Sequence, residues 1–210
     1  MAIWALLADV HGHLPRLERA VALCRAHGAE RWAFLGDLLG RGDSDGCVAL
    51  VRTLADLSVV GNRDLDWQHR VGAVSRDYVL SLPTARRGEN FLVVHGDARL
   101  DRELCSADER RGFAQSYRRL ERENLAIGIL GHTHRARVWR LPGPGEPPEQ
   151  LYDAAVDPRP ATVSLGADTL TTRFVVNVGT VGLPFAGKGP PSCAVLDMES
   201  GTVEIVPLDG

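Results

Sequence analysis

Short apolar runs alternate with amphipathic stretches through the first half of the chain. In one stretch, apolar residues recur at helical spacing at Leu14, Leu17, Val21 and Cys24, and Pro15 stands in the first turn, where a helix tolerates it. The pattern predicts helices over residues 14–27, 44–57 and 101–124. It predicts strands over residues 3–8, 32–35, 59–60, 91–94 and 127–130. Such alternation is typical of an α/β layer fold.

Glycine and proline punctuate the second half of the chain. A cluster of both at residues 142–148 predicts a loop, and interleaved Arg and Glu in residues 101–124 indicate a solvated helix face paired with itself. Beyond the loop the chain is predicted to be mostly β, over residues 162–165, 174–178, 193–196 and 203–206. We find no internal repeat and no convincing linker, so we expect a single domain over residues 1–210.

Composition narrows the class of protein. With 44% hydrophobic and 24% charged residues the chain should fold around a core, and a formal net charge of -3 gives no general attraction to nucleic acid or to an anionic membrane. The apolar N-terminus lacks a basic leader, and no apolar run reaches the roughly 18 residues of a membrane span. Cys24, Cys47, Cys105 and Cys193 form no CxxC pair and are predicted to be small buried residues, which fits a reducing cytoplasm.

Polar residues with metal-binding groups follow the predicted strands, most of them beside glycine. In an open α/β sheet such positions converge outside the carboxyl ends of the strands. Taken alone, each fragment fits a turn or an ordinary hydrogen-bonded histidine, and the pair His132 and His134 fits either a metal site or a shared polar cavity. Five fragments in this order are difficult to explain as independent turns. The candidate ligands are Asp9, His11, Asp37, Asn62, His95, His132 and His134.

The order and spacing of these fragments resemble the calcineurin-like metallophosphoesterase superfamily, in particular its bacterial phosphodiesterase-like branch. The likeness spans residues 3–136 and resumes at residues 177–184, which are similar to that family's closing segment Asn-Pro-Gly-Ser-Val-Gly. The resemblance implies a four-layer αββα sandwich with two mixed β-sheets. The matching fragments are Asp9-x-His11, Gly36-Asp37, Gly61-Asn62, His95-Gly96 and Gly131-His132-Thr133-His134.

The resemblance also implies a centre of two divalent ions that hydrolyses a phosphate ester through metal-bound hydroxide. Mixed nitrogen and oxygen ligands suit Mn, which we favour, and also Fe, Zn, Co, Ni or Mg. In that arrangement Asp9, His11 and His134 hold one ion, Asn62, His95 and His132 hold the other, and the two oxygens of Asp37 bridge them. The catalytic residues implied in the same way are Asp37, Asn62, Arg63, Asp64 and His132.

One position departs from the family pattern. Arg63 stands where the family often has the histidine that protonates the leaving oxygen, and arginine cannot act as a general acid near pH 7. Poor leaving groups should therefore react slowly, unless His13, His69 or a metal-bound water supplies the proton. Arg63 is expected instead to bind the phosphate of the substrate, and its presence favours a phosphodiesterase.

Arg41 matches an arginine that contacts phosphate in serine/threonine protein phosphatases. It is either a second phosphate contact or the ion-pair partner of Asp43 or Asp45. His13 is expected to cap the helix that follows it or to support the ligands.

The expected partner is a small phosphorylated substrate, preferably a phosphodiester. Serine/threonine protein phosphatase and dinucleoside polyphosphate hydrolase activities are alternatives. A protein-binding scaffold without catalysis is the alternative from another class, although such a chain would be expected to lose ligands. We expect substrate recognition in residues 64–82, 99–124 and 141–172, and an exposed β edge near the C-terminus that would allow a homo-oligomer.

Overall fold

The computed structural model of the chain describes residues 2–104, 109–143, 145–166 and 171–209. Within these ranges the chain is an α/β protein, as predicted. The helices are α1 (Leu14–Ala26), α2 (Ser44–Leu54), α3 (Asn62–Trp67), α4 (Ala73–Ser81) and α5 (Glu109–Arg122). The strands are β1 (Ile3–Leu7), β2 (Arg31–Phe34), β3 (Leu57–Ser58), β4 (Ala85–Arg87), β5 (Phe91–Val94), β6 (Ile127–Leu130), β7 (Ala136–Leu141), β8 (Glu149–Asp153), β9 (Ala161–Ser164), β10 (Arg173–Val178), β11 (Ser192–Asp197) and β12 (Thr202–Pro207).

The strands form two mixed sheets of six. The first sheet has the order β3-β2-β1-β11-β12-β9, and the second has the order β4-β5-β6-β10-β7-β8. Each sheet contains a parallel group, β1 to β3 in the first and β5, β6 and β10 in the second, continued by antiparallel strands. All of these parallel strands except β10 precede candidate ligands.

The core between the two sheets follows from the alternation of side chains along each strand. On β1, Trp4 and Leu6 point towards the second sheet, whereas Ala5 and Leu7 point towards the helices of the first. Phe91 of β5 meets Trp4 edge-on, with ring centroids 5.1 Å apart. The sheets therefore pack face to face through a continuous apolar layer.

Helices cover the outer face of each sheet. Leu17 of α1 and Val48 of α2 pack in the cluster that contains Leu7, and Leu120 of α5 packs in the cluster that contains Leu92. The predicted four-layer αββα architecture is confirmed. No helix in the described part of the chain is both long and apolar enough to cross a membrane.

The boundary between α2 and β3 differs from the prediction. The helix ends at Leu54 and not at residue 57, because Asp56 turns away to bond with Trp32 of β2 through both its backbone N–H and its carboxylate. Leu57 then pairs with Ala33, so the strand is Leu57–Ser58, and the strand predicted over residues 59–60 was wrong.

The helix predicted over residues 101–124 is also shorter in the described chain, where α5 spans Glu109–Arg122. Asp101 instead holds a turn, since its Oδ1 accepts the N–H groups of Glu103 and Leu104, each at 3.0 Å. The predicted self-pairing is confirmed between Arg119 and Glu123, whose Nε and Oε1 are 2.9 Å apart. Residues 105–108, and with them Cys105, lie outside the described residues, while Cys24, Cys47 and Cys193 are buried as predicted.

The prediction of an exposed β edge near the C-terminus named no strand, and the homo-oligomer that such an edge would allow stays a prediction. The last strand, β12, pairs with β11 on one side and with β9 on the other, so the edges of the first sheet are β3 and β9 and those of the second are β4 and β8. The stretch 141–172 therefore supplies an edge strand to each sheet. Helices α3 and α4, over residues 62–81, were not predicted.

Replacing Phe91 by alanine should test the packing between the sheets. Phe91 is fully buried, so F91A removes a large apolar side chain and should lower the free energy of unfolding by about 3–5 kcal/mol. Urea denaturation would measure the change. The control L80A truncates a side chain that is 48% exposed and should change stability by less than about 0.5 kcal/mol. Similar values for both variants would contradict this description of the core.

Candidate metal centre

The candidate ligands lie in loops that follow five strands at one end of the two sheets. Asp9 and His11 follow β1, Asp37 follows β2, and Asn62 is the first residue of α3, after β3. In the second sheet, His95 follows β5 directly, and His132 and His134 follow β6. Parallel strands carry their carboxyl ends at the same edge, so residues far apart in sequence meet there.

Three of these side chains form a first cluster. Nε2 of His134 lies 3.1 Å from Nε2 of His11 and 3.3 Å from Oδ1 of Asp9. Nε2 of His11 is 3.8 Å from the same carboxylate oxygen. The cluster joins the loop after β1 to the loop after β6.

Three others form a second cluster beside the first. Oδ1 of Asn62 is 3.0 Å from Nε2 of His95 and 3.0 Å from Nδ1 of His132. Asp37 lies between the clusters, with Oδ1 3.5 Å from His95 Nε2 and Oδ2 3.8 Å from His11 Nε2. The structure thus brings all seven predicted ligands together, and their assignment to individual ions stays a prediction.

Backbone carbonyls orient two of the imidazole rings. Nδ1 of His95 is 2.7 Å from the carbonyl oxygen of Leu35, and Nδ1 of His134 is 2.6 Å from that of Leu183. A carbonyl oxygen only accepts, so each Nδ1 carries its hydrogen and each Nε2 faces the centre. This arrangement is usual for metal-binding histidines, whose other ring nitrogen is held by a hydrogen bond.

The backbone at the centre adopts a conformation that side chains rarely accept. Of the six non-glycine residues with positive φ in the described chain, five are candidate ligands, and the sixth is Asn124. Left-handed backbone at non-glycine residues costs free energy and concentrates at functional sites. The five ligands are Asp9 (54°), His11 (51°), Asp37 (54°), His132 (67°) and His134 (58°).

The centre buries two carboxylates that need positive charge. Oδ1 of Asp9 is buried without a hydrogen-bond partner among the described residues. Burial disfavours the charged form of His95, yet Asp37 outweighs it and raises the pKa of His95 to about 10. Burial also disfavours charge on His134, but the neighbouring Asp9 outweighs it and raises the pKa of His134. For His11 and His132 burial prevails and lowers the pKa of each. A buried carboxylate oxygen that accepts no hydrogen bond within the described chain lies beside imidazole nitrogens. Oxygen and nitrogen atoms in this arrangement can act as ligands to divalent cations.

Asp64 is not a candidate ligand but holds two of the ligand loops through hydrogen bonds. It is fully buried; its Oδ2 accepts the N–H groups of Asp37 and Gly61 at 2.9 and 2.8 Å, and its Oδ1 accepts that of Leu39 at 3.0 Å. Burial raises the pKa of Asp64 to about 7, and the Asp37 carboxylate adds to the rise. Asp64 therefore ties the loop after β2 to the loop after β3.

Asn177, near the end of β10, and Thr180, in the loop that follows, support the centre. Nδ2 of Asn177 donates to the carbonyl oxygen of Gly131 at 2.7 Å, and Thr180 donates to that of Asp9 at 2.9 Å. The motif at residues 177–184 signalled this segment in the sequence, but the individual contacts were not predicted. His13 caps α1 as expected, because its Nδ1 accepts the N–H of Arg16 at 3.4 Å.

Arg41 and Arg63 both line a cleft beside His11. The backbone N–H of Arg63 donates to Oδ1 of Asp37 at 2.7 Å, while its guanidinium is half exposed and 3.8 Å from Asp66. Within the described residues no ion pair joins Arg41 to the two aspartates proposed as alternatives. Instead, Asp43 caps α2, and Asp45 accepts hydrogen bonds from Gly72 and Ser75. The structure leaves Arg41 facing the cleft.

An αββα sandwich with a nitrogen- and oxygen-lined centre at its strand ends defines a class of metal-binding phosphoesterase-like proteins. Residues 1–201 match the calcineurin-like phosphoesterase superfamily domain, and the chain belongs to this family. Family members bind divalent metals. The family and the fold expected from the resemblance are thereby confirmed.

Individual relatives are more distant. The uncharacterized protein MJ0912 of Methanocaldococcus jannaschii is 34% identical over 80 residues, which cover 34% of this chain and only 33% of that protein. A metallophosphoesterase from Sphaerobacter thermophilus has 23% identity and a TM-score of 0.77, over 97% of this chain and 87% of its own. An archaeal phosphodiesterase has 17% identity and a TM-score of 0.56, over 97% and 99%. Vps29 from Chaetomium thermophilum has 13% identity and a TM-score of 0.55, over 97% and 85%. At these identities, each of the three structures shows only that its protein shares the fold of this chain.

The substitution D9N should test the metal centre directly. Asparagine keeps one oxygen to accept the N–H of His132, which donates to Asp9 Oδ2 at 2.8 Å, but it removes the carboxylate charge. We expect the affinity for Mn²⁺, measured by isothermal titration calorimetry, to fall by about tenfold or more. The control D77N changes an aspartate whose side chain is 71% exposed and should bind Mn²⁺ as the parent does. Equal affinity for D9N and the parent would remove Asp9 from the ligand set.

Proposed function

We propose that the chain is a hydrolase of phosphodiesters or other small phosphorylated metabolites, with two divalent ions, preferably Mn²⁺, in the centre. The observation that carries this proposal is the placement of Asp37 between two clusters of ligand atoms. Asp9, His11 and His134 would hold one ion, and Asn62, His95 and His132 the other. Fe, Zn, Co, Ni and Mg are alternatives for either position.

Divalent ions, when bound, supply a lowered pKa for the attacking water and neutralise charge on the phosphoryl oxygens. The protein's own arginines add to this. Arg41 and Arg63 line the cleft next to His11, where their guanidinium groups would hold the remaining phosphoryl oxygens. Among the described residues, the hydrogen bonds to the buried Asp64 carboxylate come from backbone N–H groups, so we assign it a positioning role in place of the expected catalytic one.

The preference for diesters rests on Arg63. A monoester or diester with a poor leaving group needs a proton at the departing oxygen, and an arginine does not provide one near pH 7. Family members that lack a histidine at the position of Arg63 are often phosphodiesterases, and the resemblance extends this preference to the chain. Protein phosphatase and dinucleoside polyphosphate hydrolase activities are the alternatives within the same reaction class.

A scaffold without catalysis remains the alternative from another class, because Vps29 has the same fold and a fold alone does not establish a reaction. The presence of all seven candidate ligands argues against it, because a chain without catalysis would be expected to lose some of them. Two buried carboxylates and four imidazoles are costly to keep together unless a cation binds there.

Hydrolysis assays on the full chain with Mn²⁺ should test the proposal. We expect kcat/KM for bis(p-nitrophenyl) phosphate to exceed that for p-nitrophenyl phosphate by about tenfold, and D37N to lower kcat by about a hundredfold or more. Chelation should abolish activity and added Mn²⁺ should restore it, and D77N should behave as the parent. A preference for the monoester would refute the diesterase assignment, and a fully metal-loaded protein without hydrolysis of either ester would favour the scaffold.

The substitution R63H should restore a proton donor. Methyl p-nitrophenyl phosphate and methyl phenyl phosphate keep the same methyl group but differ in the acidity of the leaving phenol. We expect R63H to raise the ratio of kcat/KM for the phenyl ester to that for the nitrophenyl ester by about tenfold or more, because only the poorer leaving group needs the proton. R63Q is the matched control, since it removes the charge without adding a donor of suitable pKa. An equal change in this ratio for R63H and R63Q would contradict the explanation.

A further inference from the structure

A cleft of about 380 Å³ opens beside the metal centre, and we call it the aromatic cleft. Its inner wall is His11, one of the candidate ligands. A volume of this order accommodates a small organic group and exceeds what a phosphate alone requires. Its other walls include Arg41, Arg63, Trp67, Leu183 and Phe185.

One wall of the aromatic cleft is apolar and exposed. Leu183 is 43% exposed and Phe185 is 48% exposed, and the two lie together on the lining of the cleft. Both are fixed to the metal centre. The carbonyl oxygen of Leu183 orients His134, and the ring of Phe185 stacks on the His134 imidazole with centroids 4.7 Å apart. An exposed apolar surface so close to the reacting centre indicates a place for part of a substrate.

The opposite wall presents a second aromatic ring. Trp67 ends α3, the helix that begins with the candidate ligand Asn62, and is half-buried. The guanidinium of Arg70 lies 4.6 Å from the centroid of the Trp67 ring, a distance at which a cation–π contact holds the ring in place. Trp67 also packs against the core cluster that contains Leu7, which fixes its position relative to the metal centre.

The charge of the aromatic cleft complements a phosphate ester. Arg41 and Arg63 supply positive charge, and no carboxylate is among the described lining residues. Arginine guanidinium groups bind phosphoryl oxygens, and Trp67 offers a ring for stacking a flat group. Phe185 adds apolar surface beside it, since its own ring is already stacked on His134 and lies with its centroid 5.4 Å from Nζ of Lys188. The two features lie within one cleft, so a single molecule that carries both groups would fill it.

We propose that the aromatic cleft binds a flat aromatic ring, such as a nucleobase, in the ester group that remains on the phosphate. This inference rests on the proposed function, which it narrows to phosphodiesters with an aromatic or nucleoside group on one side. The ring stacks on Trp67 and packs beside Phe185, while the phosphate reaches the arginines and the centre. Small aliphatic diesters leave both rings exposed and are poorer substrates.

Two substrates with the same leaving group separate ring binding from chemistry. Thymidine 5′-(p-nitrophenyl phosphate) and methyl p-nitrophenyl phosphate both release p-nitrophenolate and differ only in the ester group that stays. We expect the parent protein to prefer the thymidine ester by about tenfold in kcat/KM. W67A and F185L should each reduce this preference by about fivefold. L80A, which truncates a side chain of similar exposure away from the cleft, should leave it unchanged.

Metal content of every variant must be measured, because Phe185 contacts His134. A variant that loses the thymidine preference with full metal content supports the cleft. A parent protein that hydrolyses both esters at equal kcat/KM overturns the cleft and leaves the proposed function intact.

A binding measurement tests the aromatic cleft independently of hydrolysis. Isothermal titration calorimetry on the metal-loaded protein would compare thymidine 5′-phosphate with ribose 5-phosphate, which lacks the ring. We expect a Kd at least about fivefold lower for thymidine 5′-phosphate, and W67A should remove the difference. Ring-dependent binding without any hydrolysis keeps the cleft and overturns the proposed function. Absence of both overturns the two proposals together.

Discussion

Asp9 and Asp37 are buried side by side at the ends of adjacent parallel strands, and their negative charge has to be balanced inside the protein or by bound cations. Without cations, the balance falls to imidazoles, which is why Asp37 raises the pKa of His95 despite complete burial of the ring. The carbonyl of Leu35 holds that ring in place. The parallel strands bring loops from both sheets to one place, and these loops supply the imidazoles that surround the two carboxylates.

Hydrogen bonds from outside the ligand set hold the strained loops together. Five ligands keep left-handed backbone, which persists only when surrounding contacts determine it. Asp64 fixes the loops after β2 and β3, and Gly61 must lack a side chain there, since a Cβ would lie 2.1 Å from Oδ1 of Asp37. Asn177 and Thr180 fix the loops after β6 and β1. Rigid support of this kind is what keeps ligand atoms within a few ångströms of one another.

Much of the fold and all seven candidate ligands could be predicted, because short apolar runs ending in polar residues are local signals. The left-handed backbone and the contacts of Asp64 could not, because they depend on chain segments that meet only in the folded state. The end of α2 was missed for a similar reason, since Asp56 leaves the helix to bond with Trp32 of a distant strand. Recognition was predicted partly in residues 64–82, which include Trp67, but Leu183 and Phe185 reach the cleft from a loop that local patterns do not connect to it.

Arg63 links the chemistry of the centre to the choice of substrate. Its backbone N–H fixes Asp37, and its side chain lines the aromatic cleft, so one residue serves the centre and the binding surface together. In the proposed hydrolase, Arg63 stands in place of the imidazole that would protonate a departing alkoxide, so acidic leaving groups would depart most readily. A substrate ring bound by Trp67 and Phe185 would then contribute binding energy that raises kcat/KM, in place of the contribution that a proton donor would make. Under this argument, specificity arises from the part of the substrate that stays bound, and reactivity from the acidity of the part that leaves.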